Sequence, residues 1–252
     1  MRAVGNSATE HGVFDEVVAA TYDRSCRDRF DPDVLEAEVD FLADLAGNGR
    51  ALEFAIGTGR VALPLRQRGI DVHGIEMSQP MLDQMLGKPG GDQIPYTVGD
   101  MATCRVDGTF QLVYLVFNTI TNLLSQEEQV ECFQNAAAHL SPGGSFVIDV
   151  LLPNLQRLPA GERFVPFDVS PRHLGIDEYD VPNQRLTSHH YWVSDEGART
   201  HSSPHRYAWP AEYDLMAKLA GLALTQRWSN WRRDPFASDS TAHISVWEKT
   251  QR

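Results

Sequence analysis

Residues 51–60, ALEFAIGTGR, place an acid, Glu53, inside an apolar run and close that run with Gly57 and Gly59. A glycine turn between a strand and a helix lets backbone N–H groups approach a ligand at a helix N-terminus. Gly57, Gly59 and Ala62 satisfy G-x-G-x-x-[G/A], a dinucleotide fingerprint. Glu76 follows Gly57 by 76 − 57 = 19 residues, near the spacing of an acid that binds ribose hydroxyls. This pair alone does not separate a nicotinamide enzyme from other adenosine binders, but Glu53 does. A carboxylate near a diphosphate is repelled by roughly 1–4 kcal/mol at close range in a wet site, whereas it suits a ligand end bearing an ammonium group. Asp100, in VGDMA, ends a predicted strand where a carboxylate can accept from an adenine amino group. Phe117 and Asn118 sit where the apolar run LVYLVFN opens, at the kind of strand end that binds ligands in open α/β sheets.

A second set of candidates lies further on. In RLTSHHYWV, strand alternation puts Leu186, Ser188, His190 and Trp192 on one face and Thr187, His189, Tyr191 and Val193 on the other. Adjacent histidines that point apart do not share a metal ion, and no metal site is expected. His190, beside Trp192, is the candidate for handling a cationic amine; the competing reading is a surface or interface pair. Tyr22 is a candidate lid residue over the cleft, and Asp149 ends a predicted strand where it either touches substrate or polarises a loop. The segment NWRRDPF, residues 230–236, is a candidate substrate loop whose two arginines are expected in solvent.

Bulk properties exclude several classes. A formal net charge of −12 disfavours a nucleic-acid partner. Cys26, Cys104 and Cys132 are odd in number and form no C-x-x-C, which speaks against a zinc site or a disulfide framework and for a reducing compartment. No apolar run reaches membrane-spanning length, and MRAVGNSATEHG lacks the apolar core of a signal peptide. A soluble cytoplasmic protein without a membrane partner is expected.

The elements that must hold these residues alternate. The first twelve residues are polar, and HGVFDEVVAATYD begins a short helix reaching about Tyr22. DPDVLEAEVDFLADLAGNG is a stronger helix, with Asp31 as cap, Pro32 in the first turn and Leu35, Val39, Leu42 and Leu45 on one stripe. Strands follow at RALEFAI, IDVHGIE, IPYTVGD, FQLVYLVFN and SFVIDVLL, separated by helices at RVALPLRQRG, SQPMLDQML and SQEEQVECFQNAAAHL. Ser78 caps the second of these helices, and Ser125 with Glu128 forms a capping box on the third. From about Leu152 no helical period intervenes: ERFVPFDV, RLTSHHYWV and HRYAW read as strands of an antiparallel extension. PAEYDLMAKLAG returns to helix, and LALTQRWSNW and HISVWEK complete the main sheet. The expected fold is α/β: a Rossmann-like, doubly wound, mainly parallel seven-stranded sheet with an antiparallel β-rich extension. The expected divisions are a lid segment (1–30), a ligand-binding core (31–151), the β-rich insert (152–208) and the completion of the core sheet (209–252).

Taken in order, EFAIGTG, the acid of GIEMS, VGDMA, LVYLVFNTI and HLSPGGSFVIDV resemble the class I S-adenosylmethionine-dependent methyltransferases over residues 51–150. The family pattern [E/D]-x-G-x-G-x-G is met except that Ala55 replaces the first glycine. The resemblance implies S-adenosyl-L-methionine as cofactor, S-adenosyl-L-homocysteine as product, and no metal. It implies that Glu53 and the Gly57 and Gly59 backbone hold the methionine end, with Ala55 a cofactor-binding candidate beside them, and that Glu76 binds the ribose. Met77 would pack on adenine, Asp100 and the Met101 backbone would read its edge, and Val116, Phe117 and Asn118 would line the sulfonium; Met81, which core filling explains equally well, and Ala102 are further cofactor-binding candidates. Tyr22 and His190 complete the catalytic candidates. The order VFNTITNLLSQEEQ, HLSPGG, strand-rich insert and RYAWPAEYDLMAKLAGL is closest to small-molecule methyltransferases of antibiotic biosynthesis, some of which methylate nitrogen on amino sugars or lincosamide precursors. The partner implied is a small molecule, an amine, with a homo-oligomer left open. The alternatives are O-methylation, a nicotinamide-dependent oxidoreductase, and a non-catalytic adenosyl-ligand sensor.

Overall fold

The computed structural model describes residues 14–195 and 197–250; the expectation for the first twelve residues lies outside them. Helices α1 (Glu16–Ser25) and α2 (Pro32–Ala46) precede a run of alternating elements. These are β1 (Ala51–Phe54), α3 (Ala62–Gln67), β2 (Val72–Glu76), α4 (Gln79–Leu86), β3 (Tyr96–Val98), β4 (Phe110–Leu115), α5 (Gln126–His139) and β5 (Leu140–Leu151). Four strands then follow in succession: β6 (Phe164–Val169), β7 (His173–Asp180), β8 (Arg185–Ser194) and β9 (Gly197–Arg206). Helix α6 (Pro210–Leu219) and strands β10 (Leu222–Trp228) and β11 (Ala242–Lys249) end the chain.

The main sheet has seven strands in the order β10-β11-β5-β4-β1-β2-β3. All neighbours from β5 to β3 pair in parallel, and β11 runs antiparallel to both β5 and β10. Chain order reverses between β1 and β4, so their carboxyl ends splay and leave the crevice in which such sheets bind ligands. Each face of the sheet buries its own cluster. Phe133 of α5 packs edge-on against Phe146 at 5.0 Å and Trp247 at 5.2 Å on one side. Phe41 of α2 meets Trp231 at 5.4 Å on the other. The expected caps form: Asp31 accepts from the Asp33 N–H at 3.0 Å, the Ser78 side chain accepts from Met81, and Ser125 with Glu128 closes a capping box.

The extension is a separate antiparallel sheet, β6-β7-β8-β9. The sequence reading missed β7, because Gly175 and Asp177 interrupt its apolar alternation, and it extended β9 into YAW, where the strand has already ended at Arg206. Buried Arg206 fastens this sheet to the core. Its guanidinium donates to Gln129 Oε1 at 2.6 Å and to Glu212 Oε1 at 2.6 Å. The Gln129 amide in turn reaches the carbonyls of Ile120 at 3.2 Å and Leu123 at 3.1 Å.

Candidate active site

A cavity of about 250 Å³ opens at the carboxyl ends of β1 and β2. Ala55, Gly57, Glu76, Met77, Met81, Asp100 and Met101 line it, so with Tyr22 eight of the sequence candidates converge there. Tyr22 of α1 closes it from above, joined by Phe14, Ser78, Gly99, Thr119, Asn122 and Leu123, none of which the sequence singled out for this role. Gly59, Ala102, Val116 and Phe117 do not line it.

The glycine turn is held open by backbone geometry. Gly57 and Gly59 have φ of 56° and 74°, and a Cβ on Gly57 would sit 3.3 Å from Met81 Cε. Ala55 also adopts a left-handed conformation, φ 52°, where an L side chain costs about 1–2 kcal/mol. The Glu76 carboxylate organises the floor: Oε2 accepts from Gly57 N–H at 2.9 Å, and Oε1 from Met77 at 3.0 Å and Ser78 at 2.8 Å. Burial raises its carboxyl above the ordinary value against these donors. Asp100 caps the turn after it, Oδ1 accepting from Ala102 N–H at 2.8 Å, and its other oxygen makes no hydrogen bond within the described residues. Two carboxylates with unspent acceptor capacity, three thioethers and a turn in which a Cβ would be crowded at both glycines fit an adenosyl ligand.

Glu53 takes a different position from the one its spacing suggested. It does not line the cavity; it is 3% exposed, and its Oε2 accepts from the Tyr114 hydroxyl at 2.9 Å. Burial pushes its carboxyl up to about 8, opposed by the Tyr114 hydrogen bond and by the Arg60 guanidinium. Arg60 itself grips Glu38 with two donors at 2.6 and 2.9 Å, a buried ion pair that no motif signals.

The lid is tied down at both ends. Ser78 Oγ donates to the Phe14 carbonyl at 2.7 Å, while Asp23 accepts from Thr58 Oγ1 at 2.6 Å and pairs with Lys88 at 2.5 Å. Tyr22 packs edge-on between Phe14 at 6.0 Å and Phe117 at 6.5 Å. Burial raises its phenol far above the ordinary value, so it stays neutral. Phe117 and Asn118 are consecutive left-handed residues, φ 59° and 60°. Asp149 holds them there: Oδ2 accepts from Phe117 N–H at 3.3 Å and its carbonyl from Asn118 N–H at 2.8 Å. Asp149 therefore shapes the loop, the second of the two roles its position suggested.

Asn118 opens onto a second cavity, of about 910 Å³, between the extension and the core. Asn118 and Thr121 line this one, whereas Thr119 and Asn122 line the first, so the single helical turn Thr119–Asn122 divides the two. Its far wall carries Phe167, Asp177, Leu186 and His205 from the extension, with Trp209 and Phe236 from the core side. Asp214 is neutralised there by Arg227 at 2.7 and 3.1 Å. Asp177 accepts from Ser188 Oγ at 2.7 Å and forms no ion pair among the described residues. The residues 230–236 loop thus contributes Phe236 rather than its arginines; Arg233 pairs with Asp44 at 2.7 Å on the surface.

His190 lines neither cavity. The predicted alternation holds, with His189 facing Glu178 on the opposite side. His190 stacks on Trp192 at 5.2 Å and on His173 at 5.1 Å, and its Nδ1 lies 3.0 Å from His173 Nε2. Burial and its histidine neighbours push it down to about 4, so it is neutral at pH 7. No group of three metal-ligating side chains forms among the described residues, and no helix there is long and apolar enough to cross a membrane.

Residues 51–144 match the family model of a methyltransferase domain. The structure of the CcbJ methyltransferase from Streptomyces caelestis is similar over 93% of this chain and 96% of its own, at 36% identity and a TM-score of 0.83. The cypemycin N-terminal methyltransferase of a Streptomyces species is 28% identical over 247 residues, 96% of this chain and 99% of that protein. The sugar N-methyltransferase KedS8 from a Streptoalloteichus species shares the fold over 100% of both chains, with a TM-score of 0.69 at 19% identity.

Proposed function

Because this chain belongs to the class I S-adenosylmethionine-dependent methyltransferases, we propose that it methylates a nitrogen of a small-molecule amine in a cytoplasmic biosynthetic route. Membership sets aside the oxidoreductase and sensor readings. The observation that carries the small-molecule reading is the 910 Å³ cavity on the far side of the Thr119–Asn122 turn. Its size falls within the range of about 300–1,000 Å³ that holds small ligands, and residues 152–208 serve as its cover. The choice of nitrogen rests on charge: Asp177 and Asp239 face this space, while its one lining arginine, Arg227, is committed to Asp214. The relatives described as N-terminal and sugar N-methyltransferases agree with that choice.

Bound S-adenosyl-L-methionine supplies an electrophilic methyl group on a sulfonium, and the chain's task is to place and dry it. Glu76 takes the ribose hydroxyls on its remaining lone pairs, and the free Asp100 oxygen with the Met101 backbone reads the adenine edge. Met77 and Met81 pack the base, and Ala55 with the glycine turn lets the methionine end approach. Glu53, buried outside the cavity lining, acts on the ammonium through its field once ionised. The neutral Tyr22, packed edge-on against Phe117, walls off water where the methyl meets the acceptor. Alignment of this kind is worth about 7–11 kcal/mol. The amine attacks with its lone pair in the uncharged form, so no side-chain nucleophile is required, and none is placed there.

The test is incubation with S-adenosyl-L-methionine and a panel of amino sugars and cyclic secondary amines, read by mass spectrometry with fragment assignment. One methyl on nitrogen is the expected result. A methyl on oxygen, or no transfer to any member while cofactor binds, overturns the nitrogen reading.

A further inference from the structure

The wall between the two cavities carries a hydrogen-bond chain whose direction can be worked out. Thr121 Oγ1 lies 2.7 Å from the Asn118 carbonyl, which can only accept. The single hydroxyl hydrogen is therefore committed to that carbonyl. Asn118 Nδ2 donates to Thr121 Oγ1 at 3.2 Å, and His205 Nδ1 sits 3.3 Å from that hydroxyl oxygen. With its hydrogen spent, Thr121 can only accept from His205, so Nδ1 carries the imidazole proton. Neutral imidazole has one N–H, which leaves Nε2 with a bare lone pair.

Asn118 cannot readily reverse this polarity. Its left-handed backbone is held by Asp149, and its side-chain oxygen is taken up by the Leu151 N–H at 3.0 Å, which fixes the amide orientation. His205 lines the second cavity, and its Nε2 makes no hydrogen bond within the described residues. Nor is Nε2 sealed in the interior, as the Nε2 of His243 is. Burial, with His190 and His201 nearby, pushes His205 down to about 4, which keeps the ring neutral at pH 7.

We infer that His205 reads the acceptor: its Nε2 receives a hydrogen bond from an N–H of a primary or secondary amine seated beside the Thr119–Asn122 turn. This rests on the second cavity being the acceptor site of an N-methyltransferase. An uncharged amine that donates one N–H to Nε2 keeps its lone pair on another tetrahedral direction, free to attack. The new C–N bond forms as the C–S bond breaks, the sulfur keeps that electron pair, and the product ammonium gives its proton to solvent. His205 is too weak a base to hold that proton and acts by orientation. An uncharged tertiary amine has no N–H and would set its lone pair against that of Nε2. The contact therefore favours acceptors that still carry a hydrogen and ends methylation at the tertiary amine.

Two measurements test this. Long-range ¹H–¹⁵N correlation spectra of the free protein are expected to show His205 as the Nδ1–H tautomer, with Thr121→Val converting it in part to Nε2–H; an Nε2–H ring in the unaltered protein overturns the inference without any substrate. With the best secondary amine of the panel, His205→Phe is expected to raise the acceptor KM at least tenfold while the dissociation constant of S-adenosyl-L-homocysteine holds within twofold. His205→Gln, which returns an acceptor oxygen, is expected to recover most of that loss. An unchanged KM in a proven N-methylation, or no recovery with glutamine, overturns this inference alone. An oxygen-methylated product overturns the nitrogen reading together with it, even where the tautomer is as expected.

Discussion

Along β1, β2 and β5 the acids Glu53, Glu76 and Asp149 gather toward the carboxyl ends, and their neighbours in β1 and in residues 146–150 of β5 are buried and apolar. Along β8 and β9 polar side chains run the whole length, few of them fully buried. A parallel sheet covered on both faces tolerates polar groups only where the strands stop. An antiparallel sheet with a wet face tolerates them anywhere, and its cross-strand neighbours decide what each one does. The cofactor half of this protein is thus assembled from short local stretches. The half we propose for the acceptor is assembled from pairings between residues far apart in the chain.

That contrast can be broken at the junction. Arg206→Met is expected to cost about 2–4 kcal/mol, near the lower end for one partner removed from a buried ion pair, because Gln129 and Glu212 lose their donor. Chemical denaturation followed by tryptophan fluorescence measures it, and a loss below about 0.5 kcal/mol would mean that the two sheets are fastened elsewhere. Within the cofactor half, Asp100→Ala is expected to weaken S-adenosyl-L-methionine binding by about 1–3 kcal/mol, the cost of losing a charge-assisted contact, with acceptor binding unaffected. Calorimetry that finds equal affinity removes Asp100 from the adenine edge.

A finer test concerns protons. Glu53 stands at about 8 in the folded protein against an ordinary 4.5, so at pH 7 it is mostly protonated. Its contribution to stability is complete below the ordinary value and is lost as pH rises through about 8. An ammonium placed beside it favours the carboxylate, so cofactor binding at pH 7 should release close to one proton and tighten by up to about tenfold as pH climbs past 8. Calorimetry in buffers of different ionisation enthalpy counts that proton, and Glu53→Gln, compared at each pH, should abolish both effects. The smallest effect is expected at Ala55. Ala55→Gly relieves a left-handed alanine but adds freedom to the unfolded chain, for a net gain of about 0.5–1 kcal/mol seen as a higher Tm. A fall in Tm would show that the methyl group packs usefully.

The sequence made the cofactor half readable because its signals are contiguous. Glu76 announces itself by distance from Gly57, Ser78 by capping the helix that follows, and Asp100 by closing a strand. Glu53 was identified as unusual, but its partner Tyr114 lies on a neighbouring strand, so its burial could not be read from ALEFAIGTGR. The acceptor half resisted for the same reason. His205, Asp177 and Phe167 come from three different strands, and only the register that sets His205 across from Leu186, and Leu186 across from Tyr179, brings them to one face. Phe14 escaped notice because nothing in a lone aromatic tells which way a helix entry will fold back.

Thr119–Asn122 serves as a partition with a tenant on each side, and four residues are too few for either face to be altered privately. Any substitution that makes space for a bulkier acceptor by shifting Asn118 or Thr121 must also displace Thr119 or Asn122. Donor and acceptor affinities are therefore expected to evolve as a pair, each new substrate bringing a retuned grip on the methyl source.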